Sequence, residues 1–375
     1  MSIPQTVLNM NHNSALLKEL SKYPYNSDHV QELTINKPNN YRSIINLYPE
    51  SSTNPTLPSA GTKYKFIIDD VGFLRNMCLK TELRSAGDND VTMQPRLGSR
   101  LFSNIELRQH NKVIFSCNSS YLLCRINDSE KDKQQHLINI TEVTPAWKAA
   151  TDVEVRSPLF AWIFDNSNSN ILLDFNKNIE LIVEYNSGVI YDSPPTKFDV
   201  SLVLFRVCYE PEFIHEFIKK NYDNNTSIYG YDVRRFSKNL VLNDTSSSVY
   251  LESPYLVTSI HCNIILQNYG VTTVNRIVLR IGDKVVLDVD RNMNLLSNKQ
   301  VPGDSGLNSF SYYFGDKERQ LGMSGALDFY QQPYELTAYF DAIPLALATL
   351  SVNLEYVNIL DIDKETGKFN TQLIH

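Results

Sequence analysis

The run from Leu101 to Phe115, LFSNIELRQHNKVIF, returns in degenerate form in the second half of the chain. With Ile105 set on Ile277, the pairs Leu107/Leu279, Arg108/Arg280, Lys112/Lys284 and Val113/Val285 are identical without a gap. Ile105 and Leu107, and again Ile277, Leu279 and Ile281, alternate with more polar neighbours, the period of two that marks a strand with one buried face. Each run reaches a polar pair suited to a tight turn, His110-Asn111 or Gly282-Asp283, and a second apolar run follows, Val113-Ile114-Phe115 or Val285-Val286-Leu287. That is the chemistry of a β-hairpin, written twice. The expected architecture is therefore a duplicated all-β unit.

The repeat extends beyond the hairpin. Leu173-Asp174-Phe175 recurs as Leu327-Asp328-Phe329, and Glu180-Leu181 recurs as Glu335-Leu336, with a strand pattern after each. A length of 375 residues accommodates two such units, each large enough for its own core. With 21 Tyr and 17 Phe the composition favours strands. Two stacked antiparallel sheets per half, with long irregular connections, match a jelly roll better than a propeller, which needs four or more shorter repeats. The fold class is thus all-β, two tandem jelly rolls with an N-terminal extension and a short linker helix.

Along the chain, residues 1–61 lack strand alternation and read as an arm. The first roll spans 62–211 and ends in Val200–Tyr209, apolar on both faces and so expected to be covered on both sides. Tyr121–Gln135 reads as a short helix. Residues 212–236 hold a linker helix and loop: Phe213, Ile214, Phe217 and Ile218 recur at helical spacing after Pro211, with Lys219 and Lys220 at the end where cations suit the helix dipole. The second roll spans 237–361, with a loop from Gln300 to Ser311, and residues 362–375 form a tail. No apolar run approaches the ~20 residues of a membrane span, and the start of the chain lacks the pattern of a secretory signal. Five scattered cysteines read as buried free thiols.

Leu101-Phe102-Ser103-Asn104-Ile105-Glu106-Leu107 followed by Tyr121 resembles the first-roll hairpin of the double jelly-roll major capsid proteins of polinton-like viruses, adintoviruses, virophages and nucleocytoplasmic large DNA viruses. Met323-Ser324-Gly325-Ala326-Leu327-Asp328-Phe329 resembles the Ser-Gly-x-(Leu/Ile)-(Asn/Asp)-Phe run of the second roll in the same family. The chain departs from the family's pattern at the first turn, where His110-Asn111 stands in place of Asn-Gly. The resemblance implies a homotrimer of pseudohexagonal outline in the virion of an icosahedral DNA virus. Its implied partners are neighbouring capsomers and penton and minor capsid proteins, and it leaves open contact with an internal membrane. It implies no cofactor and no enzymatic activity. The structural residues carried by the two motifs and by the repeated hairpin are Leu101, Phe102, Ile105, Leu107, Ile277, Leu279, Ser324, Gly325, Leu327, Asp328 and Phe329.

Other chemistries fit the sequence less well. A net charge of -7 argues against a broad basic surface for direct nucleic-acid binding. Gly303-Asp304-Ser305-Gly306 and His261 mimic protease signatures, but too few residues separate them for the barrel such a triad needs. Asp288-Val289-Asp290-Arg291-Asn292 and Asp361-Ile362-Asp363-Lys364-Glu365 resemble calcium loops without the glycine and acid at the required places. Cys117 and Cys124 lack zinc-spaced partners. Arg234-Arg235 reads as a surface pair. A minor capsid or scaffold protein is the alternative within the same class. A carbohydrate-binding or carbohydrate-active β-sandwich is the alternative outside it, and it would need more stacking aromatics than Trp147 and Trp162 supply.

Overall fold

The computed structural model describes residues 40–50, 57–84, 96–127, 141, 152–159, 171–186, 195–222, 226–266, 273–293, 309–315, 325–330, 333–341 and 348–372. Through the first half run β1 (Asn40–Leu47), β2 (Lys63–Ile68), β3 (Phe73–Arg84), α1 (Leu97–Arg100), β4 (Phe102–Gln109), β5 (Lys112–Asn118), α2 (Ser119–Asn127), β6 (Asp152–Pro158), β7 (Ile171–Leu172), β8 (Ile179–Tyr185), β9 (Lys197–Tyr209) and α3 (Pro211–Tyr222). The second half continues with β10 (Thr226–Leu240), β11 (Ser246–Leu251), β12 (Leu256–Leu266), β13 (Val274–Ile281), β14 (Lys284–Asp290), β15 (Ser309–Tyr313), β16 (Leu327–Asp328), β17 (Tyr334–Phe340), β18 (Ala348–Ile362) and β19 (Phe369–Gln372).

Four antiparallel sheets result, and their wiring repeats. In the first half the strand orders are β1-β9-β3-β6 and β2-β8-β4-β5; in the second they are β10-β18-β12-β15 and β11-β17-β13-β14. Setting aside the two-residue strands β7 and β16 and the C-terminal β19, both halves pair first, eighth, third and sixth strands in one sheet and second, seventh, fourth and fifth in the other. This is jelly-roll connectivity. The two-residue strands are equivalent too, since β7 pairs with β3 and β16 with β12. The chain divides into two compact units, one of Asn39–Asp232 with Ile359–Gln372, the other centred on Val233–Asn358.

Each roll has its own core, built from the inward positions of its two sheets. Tyr64, Phe66, Leu79, Leu107, Leu181 and Leu204 are buried in the first, and Ile260, Ile277, Leu279, Phe310, Leu336 and Leu354 in the second. α3 begins at Pro211, whose fixed φ and missing N–H suit a first helical position. It docks onto the first roll through an aromatic chain: Phe217 meets Phe73 edge-on at 5.0 Å, Phe73 meets Tyr209 at 5.5 Å, and Tyr209 lies 4.7 Å from Phe213. α2 starts at Ser119, two residues ahead of the expected Tyr121, where the Asn118 side-chain oxygen accepts the N–H of Tyr121; residues 128–135 of the expected helix lie outside the described residues.

Several expectations are corrected. The arm expected to reach residue 61 gives way to strand at Asn40, and β1 pairs with β9 from Asn40↔Tyr209 to Leu47↔Leu202. Residues 226–236, expected within the linker loop, belong to β10, and the loop expected to run to Ser311 ends where β15 starts at Ser309. Within the tail expected from residue 362, Phe369–Gln372 pairs with the end of β18 as β19. Residues 1–39 of the expected arm lie outside the described residues.

Candidate functional site

The two hairpins are equivalent to the level of their irregularities. β4 loses register against β5 between Leu107 and Arg108, and β13 against β14 between Leu279 and Arg280. Against the strand on the other side, the slips fall between Phe102 and Asn104 and between Val274 and Arg276. All of these keep the spacing of Ile105 to Ile277. Bulges are placed features of a sheet, and their repetition is evidence of duplication that side-chain identity alone does not supply. The helix cap repeats as well: Asn118 accepts the N–H of Tyr121 at 3.0 Å, and Asp290 accepts that of Met293 at 2.8 Å. At the first turn His110 and Asn111 both take positive φ, 48° and 67°, as a type I′ turn requires, so this pair does the work of Asn-Gly.

Leu101, Phe102, Ile105, Leu107, Ile277 and Leu279 are buried at 0–1% exposure, and Leu327 and Phe329 are buried in the second core. Leu107 sits between Phe115 and Leu181, Leu279 between Leu287 and Leu336. Arg108 and Arg280 point away from the core, opposite Glu180 and Glu335. Gly325 has a clear physical role: its φ is 74°, and a Cβ there would lie 2.3 Å from the Phe314 carbonyl oxygen. Asp328 accepts the Tyr330 N–H through its side chain and the Tyr334 hydroxyl through its carbonyl. Ser324 lies outside the described residues. The repeated Leu-Asp-Phe is offset from the true equivalence. Ile171 and Leu327 face the matching residues Leu74 and Val257, so Ile171-Leu172, not Leu173-Asp174, corresponds to Leu327-Asp328.

The sequence signals for other chemistry resolve into structural contacts. His261 is fully buried; its Nε2 lies 2.9 Å from Ser259 Oγ and 3.2 Å from Glu355 Oε2, and its Nδ1 lies 2.9 Å from Ser311 Oγ. The Ser259 hydroxyl donates to Glu355 at 2.8 Å. A serine–histidine–carboxylate set closed in this way offers no exposed nucleophile to a substrate. Ser305 is outside the described residues. Asp288 is held by Arg276 and Asp363 by the N–H and hydroxyl of Thr366, which lowers both carboxyl groups below their ordinary range. Among the described residues no cluster of His, Cys, Asp or Glu could hold a metal ion. All five cysteines are free; burial pushes the Cys262 thiol up to about 12, which makes it a poor nucleophile. Arg234 stacks on Phe236 at 5.3 Å.

One structural device has no signature in the sequence. The hairpin 359–372 clusters with the first roll and is fastened by two buried amides. Gln109 Nε2 donates to the carbonyls of Lys177 and Gly367, both at 3.0 Å, while its Oε1 accepts the Phe369 N–H at 2.7 Å. Asn176 donates to Gly367 at 2.8 Å. Gly367 must be glycine here, since a Cβ would lie 2.2 Å from the Phe175 carbonyl oxygen.

No protein-family model matches the chain, and no curated protein sequence does. Solved structures match along most of its length. A quasi-atomic model of the PBCV-1 virus capsid covers 90% of this chain and 98% of its own, with TM-score 0.69 and 11% identity. The Faustovirus major capsid protein covers 86% and 90%, with TM-score 0.66 and 9% identity. The mavirus major capsid protein covers 88% and 90%, with TM-score 0.51 and 9% identity. At these identities the likeness is one of fold, and it agrees with sheet wiring derived from the chain itself. The chain has the double jelly-roll fold of these viral capsid proteins.

Proposed function

We propose that this chain is the major capsid protein of an icosahedral DNA virus, located in the virion and acting by self-assembly. The observation that carries the proposal is the duplicated wiring, two jelly rolls of one topology in one chain, together with a fold match that spans nearly the whole length of known capsid subunits. Three copies of a two-roll subunit place six similar columns around a threefold axis, and such a pseudohexagonal block tiles a shell using one gene product. Its partners are then two further copies in the trimer, neighbouring capsomers, and penton and minor capsid proteins. Contacts of this kind bury an apolar centre within a polar rim and typically exceed ~1,000 Å². The net charge of -7 fits a shell that does not grip the genome through a broad basic face.

Size-exclusion chromatography with light scattering tests this. A mass roughly three times 42.9 kDa is expected, and a strict monomer at micromolar concentration would refute the trimer. Deleting residues 1–38, which precede β1, is expected to spare the trimer and impair joining of trimers into shells.

A further inference from the structure

The internal duplication supplies its own control. Each surface of one roll has a counterpart on the other, and a difference in burial between counterparts shows which copy the chain itself leaves uncovered. Among the described residues, two such differences each involve several neighbouring positions of a strand, and they run in opposite directions.

The first is the outer face of the sheet containing β3 and β9, turned away from the first core. Asn76 is exposed and Cys78, Lys80 and Phe205 are half-buried. The register puts Ser259, His261, Asn263 and Glu355 at the matching places on β12 and β18, and there exposure is only 0–1%. Ile44, opposite Phe205 on β1, extends the open face and is 65% exposed.

The second is the strand that ends each hairpin. On β5, Ile114, Phe115 and Cys117 are buried, and the outward N–H of Ser116 is donated to Asp232. On β14 the matching Val286, Leu287 and Val289 are only half-buried, and Val285 is 47% exposed. Met293, in the place of the buried Tyr121, is 60% exposed.

Each chain is therefore left with one open surface on each roll, of two different kinds. We propose that these surfaces, the Ile44–Phe205 face of the first roll and the Val285–Met293 side of the second, are the two halves of one contact between copies of this chain. The inference rests on the trimer reading above and names the surfaces that make it. A second copy is the fitting occupant because the duplicate of each surface is already buried within the chain, so neither kind is built to face water. The apolar centre, Ile44 and Phe205 against Val285 and Met293, is rimmed by Lys80 and Glu82 on one side and by Arg276 and Asp288 on the other, the anatomy of a protein interface. A contact joining unlike surfaces is heterologous and closes into a ring when each copy passes it to the next.

The test uses full-length Ile44→Arg and Val285→Arg. Both side chains are exposed, so each variant is expected to keep the wild-type circular dichroism; Ile44→Ser and Val285→Ser replace either one that misfolds. With wild type trimeric, each variant alone is expected to run as a monomer at the same micromolar concentration, while Tyr250→Arg, exposed on β11 outside both surfaces, remains a trimer. An equimolar mixture of Ile44→Arg and Val285→Arg is expected to form a one-to-one dimer, because one chain retains each good half and the ring cannot close. Trimeric variants, or a mixture that stays monomeric, would overturn the assignment while leaving the trimer intact. A monomeric wild type would overturn the trimer reading and this inference with it.

Discussion

Leu107 and Leu279 occupy the same place in the two rolls, and truncating each to alanine tests whether equivalence of position brings equivalence of energy. Both side chains are fully buried. Removing a buried leucine to alanine costs about 2–5 kcal/mol, the upper end where the surroundings cannot collapse into the space left. Leu107 lies between Phe115 and Leu181, at 3% and 1% exposure, so its cavity is walled on both sides and a cost of about 3–5 kcal/mol is expected. Leu279 lies between buried Leu336 and half-buried Leu287, which can shift, and about 2–3 kcal/mol is expected. Two units in one chain make a single unfolding free energy ill-defined, so the measurement is amide hydrogen exchange read separately for each roll. At roughly 1.4 kcal/mol per factor of ten, Leu107→Ala should speed exchange in the core strands of the first roll by more than a hundredfold, and Leu279→Ala those of the second by some thirtyfold or more. A larger effect from Leu279→Ala, or no effect from either, would refute the packing argument.

Gln109→Ala removes three hydrogen bonds that fasten the C-terminal hairpin, at an expected local cost of about 2–4 kcal/mol, and should accelerate tryptic cleavage at Lys364 and Lys368; an unchanged rate would mean the hairpin is held by other contacts. Gly325→Ala drives a Cβ to 2.3 Å from a backbone oxygen at positive φ, so its melting temperature should fall by several degrees, whereas Gly282→Ala, with nothing within 4 Å, should lose only about 1 kcal/mol. On the outer face of the first roll, hydrogen bonds from Lys197 and Lys80 hold the Glu82 carboxyl below its ordinary range, and Glu82 in turn raises both lysines. The carboxylate contribution is present above the unfolded Glu value and lost as pH falls through the lowered one. The lysine contributions are present below the unfolded Lys value and lost as pH rises through the raised one. Urea titrations of wild type and Glu82→Gln should therefore differ at pH 7 and converge in acid; a difference that persists at pH 2 would contradict the ion-pair account.

What the sequence reveals and what it hides follow one physical rule. Strands flanked on both sides within a sheet, such as β4, β8, β13 and β17, must fill a core on one face, and their period of two is plain. Two of the strands missed, β1 and β10, hold the same place in the two rolls, each at one end of its sheet order. In β1 the inward Ser43, Ile45 and Leu47 are only half-buried, while Ile44 is an apolar residue facing outward, so alternation is weak where the strand is real. Periodicity also fails in the opposite sense. Ser259, His261, Asn353 and Glu355 alternate with Ile260, Cys262, Val352 and Leu354 as an exposed polar face would, yet they are as deeply buried as the residues between them. Mutual hydrogen bonding, Ser259 to Glu355 and His261 to Ser311, lets such a face leave water without apolar side chains. A period of two thus reports which residues turn away from a roll's own core, and it is silent on whether they then meet solvent, protein or another copy of the chain. For a protein whose proposed work is assembly, that second choice is where function lies. It becomes visible only when the two rolls are compared position by position.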